Sequence, residues 1–415
     1  MSALDDTIVA ILDWANVFFE FVCVTLTLSF FLFCCVPYLH TRARNLLRPW
    51  VIYHVENGLY WVALLQKYRT PSLTTVFEQS SHSVSVGFYG SFLPLLIWEG
   101  FPGLGTELCM LMASTLYVGN AMKDLVSAPR PLGLKYEKVR LSHISTGSEE
   151  TKKNAEEYGL PSSHTMNSLC LNFYICHYLH KNDFLSNDMA IFWYSAVFIW
   201  VVWIAISRLY LGLHTPIDIL AGAIAGLTVL TAFISVQERV HQFMFSINSW
   251  ISMIILSLIL LRLHPMPEKP TPTYEFTTSF VGVAFGVIVA IHLYPAYYEE
   301  DITLQKILSL PILIHIARVA TGFGIVLLSK SVMKRVCTAI LPLAYYGFPL
   351  AIRRLWQPPV HGKVDPNTSL KRTMDDRQWV DVDATVRFFS YASIGFSACY
   401  LVPKAFDAIH YLFGY

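Results

Sequence analysis

Three short polar patches interrupt a very apolar chain, and each carries groups suited to binding or breaking a phosphate ester. The first runs from Lys123 through Arg130 and Pro131. The second is Pro161-Ser162-Ser163-His164, and the third is Ser207-Arg208 followed by His214 and Asp218. A transferring phosphoryl group spreads its charge over three equatorial oxygens, so catalysis is mostly positioning and electrostatic clamping. Lys123, Arg130 and Arg208 offer three cations for that clamp, with arginine suited to gripping two oxygens at once.

The two histidines divide the proton work. Thr215 followed by Pro216 marks a helix start, which puts Asp218 in the first turn, within reach of His214. A carboxylate on one imidazole nitrogen fixes the tautomer and makes the other nitrogen a better nucleophile. His214 is therefore the expected nucleophile, forming a phospho-enzyme intermediate. Ser162 is a natural N-cap, and the N–H groups after it, including that of Ser163, form a phosphate cradle. His164 lies in that first turn and is placed to protonate the leaving alkoxide as general acid. With three cations present and no carboxylate cluster of the kind magnesium prefers, the expectation is a site with no metal and no cofactor.

Each patch also has a plainer reading. A cation at a helix end often anchors to the membrane interface, Ser162 alone is an ordinary cap, and His214 with Asp218 alone could be a structural pair or remnants of a metal site. The ordered coincidence of all three patches, at matching ends of consecutive helices, outweighs these.

Composition says what holds the patches. The chain has 415 residues, 54% of them hydrophobic and only 14% charged, a membrane composition. A net charge of +1 gives no electrostatic case for a nucleic-acid partner. Eight cysteines lie in or beside apolar stretches, with no CxxC spacing; they read as small buried hydrophobes. The fold class expected is all-α, a polytopic helical membrane protein of roughly ten spans, each about 20 residues long. Apolar runs begin near residues 17, 82, 104, 163, 188, 215, 247, 275, 306, 335 and 385. The run from Val17 to Leu39 carries Glu20 and lacks a basic start, so it reads as a retained helix, with a signal peptide as the alternative. Trp50 to Gln66 reads as a half-span or interfacial helix. Two polar loops are expected, Lys123 to Leu160 and Arg353 to Asp383. The organisation expected is an anchoring segment over 1–78, a catalytic core over 79–240 and further membrane helices over 241–415. Gly222 and Gly226 form a small-xxx-small pair suited to close helix packing.

The motifs Lys-x6-Arg-Pro, Pro-Ser-x-His and Ser-Arg-x5-His-x3-Asp, in order over residues 123 to 218, resemble the signature of the type 2 phosphatidic-acid phosphatase and vanadium haloperoxidase superfamily. The resemblance implies His214 as nucleophile, His164 as general acid and Asp218 orienting His214. It also implies phosphate binding by Lys123, Arg130, Ser162 and Arg208, with the backbone of Ser163. Many members have glycine where this chain has Ser163. Glu156 to Met166 and Ser207 to Gly222 look most like sphingosine-1-phosphate phosphatases. That likeness implies a metal-independent enzyme of the endoplasmic-reticulum membrane, its site facing the lumen, cleaving long-chain base phosphates.

Other readings remain. Phosphatidate or isoprenyl diphosphate could be the substrate of the same chemistry, the difference being a group that recognises an amine; Glu107, on the helix leading to Lys123, is one candidate. From another class, His315, Arg318 and Arg387 in apolar stretches could mark a transporter, against structural roles for the same side chains. A catalytically dead lipid-binding relative is disfavoured because no motif position is missing.

Overall fold

The computed structural model describes residues 2–34, 36–131, 157–269, 271–298, 312–347 and 382–413. Their regular structure is all helix, and among them no strand occurs. The polar run Ser148 to Glu156 and nearly all of the Arg353 to Asp383 connection lie outside the described residues.

In chain order the helices are α1 (Ser2–Cys34), α2 (Pro37–Gln66), α3 (Pro71–His82), α4 (Val86–Trp98), α5 (Pro102–Val126), α6 (Ser163–Lys181), α7 (Asn187–Tyr210) and α8 (Pro216–Ser235). They continue with α9 (Gln237–Phe245), α10 (Ser249–Leu263), α11 (Thr273–Leu293), α12 (Ile312–Gly347), α13 (Val382–Phe396) and α14 (Val402–Phe413). Among the described residues five helices are long and apolar enough to cross a membrane: α1 from Ala15, α7, α8, α11 and most of α12; α9 with α10 makes a sixth if the broken pair is one span. Several expected runs appear differently. From residue 312 on, those from 306 and 335 share one helix, α12, which continues through Gly322, Gly324 and Pro342. The run from 82 gives the short helix α4, bounded by Gly100. Trp50 to Gln66 is the second half of α2, which carries Pro49 inside it.

The chain forms two compact units. One comprises residues 1–93, 104–243 and 263–274; the other comprises 94–103, 244–262 and 275–415. All three polar patches fall in the first. There α6 packs against α7 and α8, and α1 lies along α8. Large apolar side chains stay exposed on the outer faces: Phe18, Leu28 and Leu32 on α1, Ile191, Phe192 and Phe198 on α7, Leu220 and Ile224 on α8. In water such faces would drive aggregation; against lipid they cost nothing.

In the second unit α12 packs along α13, and the indole N–H of Trp98 donates to the Ala398 carbonyl at 2.9 Å. Charges in its apolar stretches have partners. His315 Nδ1 lies 2.6 Å from Glu99 Oε2, Arg318 donates to the Trp98 carbonyl and stacks on Phe406, and Arg387 pairs with Glu275 at 2.8 Å. These contacts give the three side chains structural roles.

The small-residue pair on α8 sets how near α6 can come. A Cβ on Gly222 would sit 2.6 Å from the Ser162 carbonyl oxygen, and one on Gly226 3.2 Å from the Met166 backbone. The second patch thus rests directly on the α8 backbone. Gly222→Ala should destabilise the detergent-solubilised protein by about 1–3 kcal/mol, through overpacking. Gly90→Ala, where nothing lies within 4 Å of the new methyl group, should cost no stability. Thermal unfolding of the two variants checks this; equal melting temperatures would contradict the close approach.

Candidate active site

The site is assembled by backbone hydrogen bonds between the patches. The Gly159 N–H donates to the Ala128 carbonyl at 2.9 Å, and the Ser162 N–H donates to the Asp218 carbonyl at 2.9 Å. Arg130 Nη1 donates to the Leu213 carbonyl at 3.1 Å. An apolar cluster of Val51 and Val55 from α2, Val126, Ala128 and Leu160, with Ile217 and Ala221 packed on it, backs the same junction. Burying those side chains holds three sequence-distant segments at fixed spacing. On the other side, Phe77 of α3 packs with Tyr210, Leu211 and Leu213, and the Thr70 N–H donates to Tyr210 Oη at 3.0 Å. Between α7 and α8 the chain turns at Gly212, whose φ of 69° favours glycine. That turn carries the backbone from Arg208 to His214.

Thr215 caps α8 in a capping box: Asp218 Oδ2 accepts from the Thr215 N–H at 2.7 Å and from its hydroxyl at 3.0 Å. The same oxygen lies 3.7 Å from His214 Nδ1. His214 Nε2 lies 3.2 Å from Arg130 Nη1. A guanidinium only donates, so Nε2 is the acceptor and the ring proton sits on Nδ1, facing Asp218. The lone pair of Nε2 therefore points to the cationic side of the site.

The cations gather there. Lys123, Arg130 and Arg208 are buried, and Arg208 keeps Nε and Nη2 buried with no hydrogen-bond partner among the described residues. A guanidinium stripped of water with two nitrogens unbonded is costly unless an anion completes it. Ser162 caps α6, accepting from the Thr165 N–H at 3.5 Å and its hydroxyl at 3.1 Å; the Ser163 hydroxyl is buried and unbonded. His164 is the second residue of α6, and the charges of Arg208, Lys123 and Arg130 act on it as they do on His214. All eight sequence-derived site residues thus belong to one locality.

Glu157 was not among them. Its carboxylate forms an ion pair with Lys123 and lies 3.7 Å from Arg130 Nη2, while its main-chain oxygen accepts from Arg130 Nε at 2.8 Å. Burial alone would raise its pKa, but Lys123, Arg130 and Arg208 outweigh that and lower it, so it is ionised. The sequence placed it at the end of a charge run, where solvated loops are the usual case, and only its adjacency to Pro161-Ser162 hinted otherwise. Glu107 is corrected the other way. It lies about sixteen residues before Lys123, roughly 24 Å along the same helix. Its Oε2 accepts from Tyr174 Oη at 2.7 Å and Gln237 Nε2 at 3.1 Å. It is a bonded carboxylate at the far end of α5.

A PAP2 superfamily model matches residues 104–242. Lipid phosphate phosphatase delta of Arabidopsis thaliana is 33% identical over 387 residues, covering 89% of this chain and 91% of that protein. The probable sphingosine-1-phosphate phosphatase of Dictyostelium discoideum is 26% identical, covering 86% of this chain and 88% of that one. A solved transmembrane PAP2-type phosphatidylglycerolphosphate phosphatase from Bacillus subtilis is 23% identical, with a TM-score of 0.36, over 52% of this chain and 96% of its own. The chain belongs to the PAP2 superfamily, and is a multi-pass membrane protein of its lipid phosphatases.

Burial first, and then the charges of Arg130, Arg208 and Lys123, hold the His214 ring well below its ordinary pKa; burial, Arg208, Lys123 and Arg130 do the same to His164. Both rings are neutral in the folded protein at neutral pH. The unfolded chain takes up those protons near pH 6.5 and the folded chain does not. Stability contributed by neutral rings is therefore full above that pH and lost below it, by about 1.4 kcal/mol per pH unit per ring. The melting temperature in detergent should fall between about pH 6.5 and 5.5 in the wild type. The double variant His164→Gln, His214→Gln should show a shallower fall; equal slopes would contradict buried neutral rings.

Proposed function

We propose that the protein hydrolyses sphingoid long-chain base 1-phosphates to the free base and inorganic phosphate, through a phosphohistidine on His214. The observation that carries the reading is the placement of His214: Nε2 against Arg130 and Nδ1 toward Asp218. Lys123, Arg130, Arg208, Ser162 and the Ser163 N–H bind the phosphate. Nε2 attacks phosphorus as the bond to the ester oxygen breaks, and His164 gives the departing alkoxide its proton. Water then attacks phosphorus in line with the P–Nε2 bond, which breaks to release phosphate and free His214, while neutral His164 takes the water proton and passes it to solvent. The neutral state of the free site requires His164 to gain its proton with the substrate, whose anionic phosphate offsets the neighbouring cations.

The sphingoid substrate class is supported by relatives named as sphingosine-1-phosphate and dihydrosphingosine 1-phosphate phosphatases. The proposed setting is the endoplasmic-reticulum membrane with the site facing the lumen, the substrate tail remaining in lipid while its headgroup enters. The plant relative named lipid phosphate phosphatase favours a second reading, a wider range of lipid phosphates including phosphatidate.

A panel of lipid phosphates in mixed micelles, read as phosphate released, tests the substrate class: sphingoid base phosphates should lead it, and preference for phosphatidate would favour the second reading. Rapid quenching with 32P-labelled substrate should place acid-labile label on His214. His214→Ala should lose it and reduce turnover by about 10³-fold or more. Label on a serine would overturn the mechanism.

A further inference from the structure

The carboxylate of Glu157 stands among the cations proposed to hold phosphate, where a phosphatase has least use for a negative charge. It competes with the substrate's own anion, so once phosphate binds, its charge needs a new partner. We infer that Glu157 is a specificity-determining residue that binds the ammonium group of an amino-alcohol phosphate, an inference that rests on the substrate class proposed above.

Three observations support it. The main chain of Glu157 is fixed at the site by the bond from Arg130 Nε to its carbonyl. Its neighbours are fixed too: the Gly159 N–H donates to Ala128, and Tyr158 Oη accepts from the Lys269 N–H at 2.9 Å. A phosphate that takes over Lys123 and Arg130 therefore displaces the carboxylate only by side-chain rotation, leaving it at the rim of the cradle. In a sphingoid base phosphate the nitrogen is four bonds from phosphorus, within about 5 Å. A cation must then lie beside the bound phosphate, and Glu157 is a carboxylate already ion-paired with two of the phosphate-binding groups, Lys123 and Arg130. Asp218, by contrast, has its Oδ2 bound by Thr215 and set against His214. With the amine present, the carboxylate exchanges Lys123 for the ammonium and remains paired; with a neutral group there, it is left as an unpartnered charge next to phosphate, which costs binding. Rejection comes from the unpaired anion as much as acceptance comes from the paired one.

The test uses the full-length protein in mixed micelles, with sphingosine 1-phosphate, its N-acetyl derivative and lysophosphatidate as substrates. The wild type should lose about tenfold or more in kcat/KM when the amine is acetylated or absent. Glu157→Gln should erase that difference by lowering sphingosine 1-phosphate turnover toward that of lysophosphatidate, and Glu157→Asp should keep part of it. Ratios between substrates in one preparation do not depend on the folded fraction. A Gln variant that retains the full amine preference, or that shifts all three substrates in equal proportion, overturns the inference. If that variant does not fold, the wild type still decides. Free sphingosine should inhibit it about tenfold more strongly than N-acetylsphingosine, and equal inhibition overturns the inference. A wild type that ignores sphingosine 1-phosphate but cleaves lysophosphatidate would end the substrate reading instead.

Discussion

Three buried cations within one small volume are the constraint around which this protein is built. Lys123, Arg130 and Arg208 repel each other, and each has lost most of its water. Such a cluster survives only where other interactions force the segments together and an anion relieves the repulsion. The forcing comes from the apolar cluster of α2 with the ends of the three patches, and from the backbone bonds of Gly159, Ser162 and Arg130. The relief comes from Glu157, and leaves two Arg208 nitrogens without a protein partner.

The same field sets the protonation of the two histidines. Burial and positive neighbours both oppose an imidazolium, so His214 is a free base before substrate arrives. A nucleophile needs that state; a general acid needs the opposite one. In the proposed mechanism a phosphate dianion offsets the charge that keeps His164 neutral, so protonation of the acid is coupled to binding. Nothing in this scheme depends on a carboxylate holding His164. Asp218, whose Oδ2 lies 3.7 Å from His214 Nδ1, is tied by the α8 capping box, so a single helix start places a carboxylate beside His214 and, through the Asp218 carbonyl, seats Ser162.

The helices that carry the chemistry differ from those that meet lipid. α7 and α8 show apolar outer faces and turn their polar ends inward, whereas α5 and α6 carry more polar side chains and are largely buried against other helices. An apolar shell around a cationic pocket lowers the local dielectric and so strengthens every charge contact within it. The second unit, with His315, Arg318 and Arg387 matched to Glu99, Trp98 and Glu275, buries its charges by pairing them locally.

The amino-acid order alone determined the all-helical membrane class and singled out eight residues that the fold gathers in one locality, because apolar periodicity and motif spacing are local properties that survive without coordinates. It also marked Thr215, Pro216 and Ser162 as helix starts, since capping is decided within four residues. Whatever depended on contacts between distant segments was decided by tertiary structure. Glu157 looked like part of a solvated run until folding set it against Lys123, and Glu107 looked close to the site until helix rise put it at the other end of α5. The role of α2 as the backing of the site was equally hidden, because Val51 and Val55 are ordinary valines until Val126, Ala128 and Leu160 pack on them. Charge partners and packing partners are chosen in space, and a linear pattern records only which groups were there to be chosen.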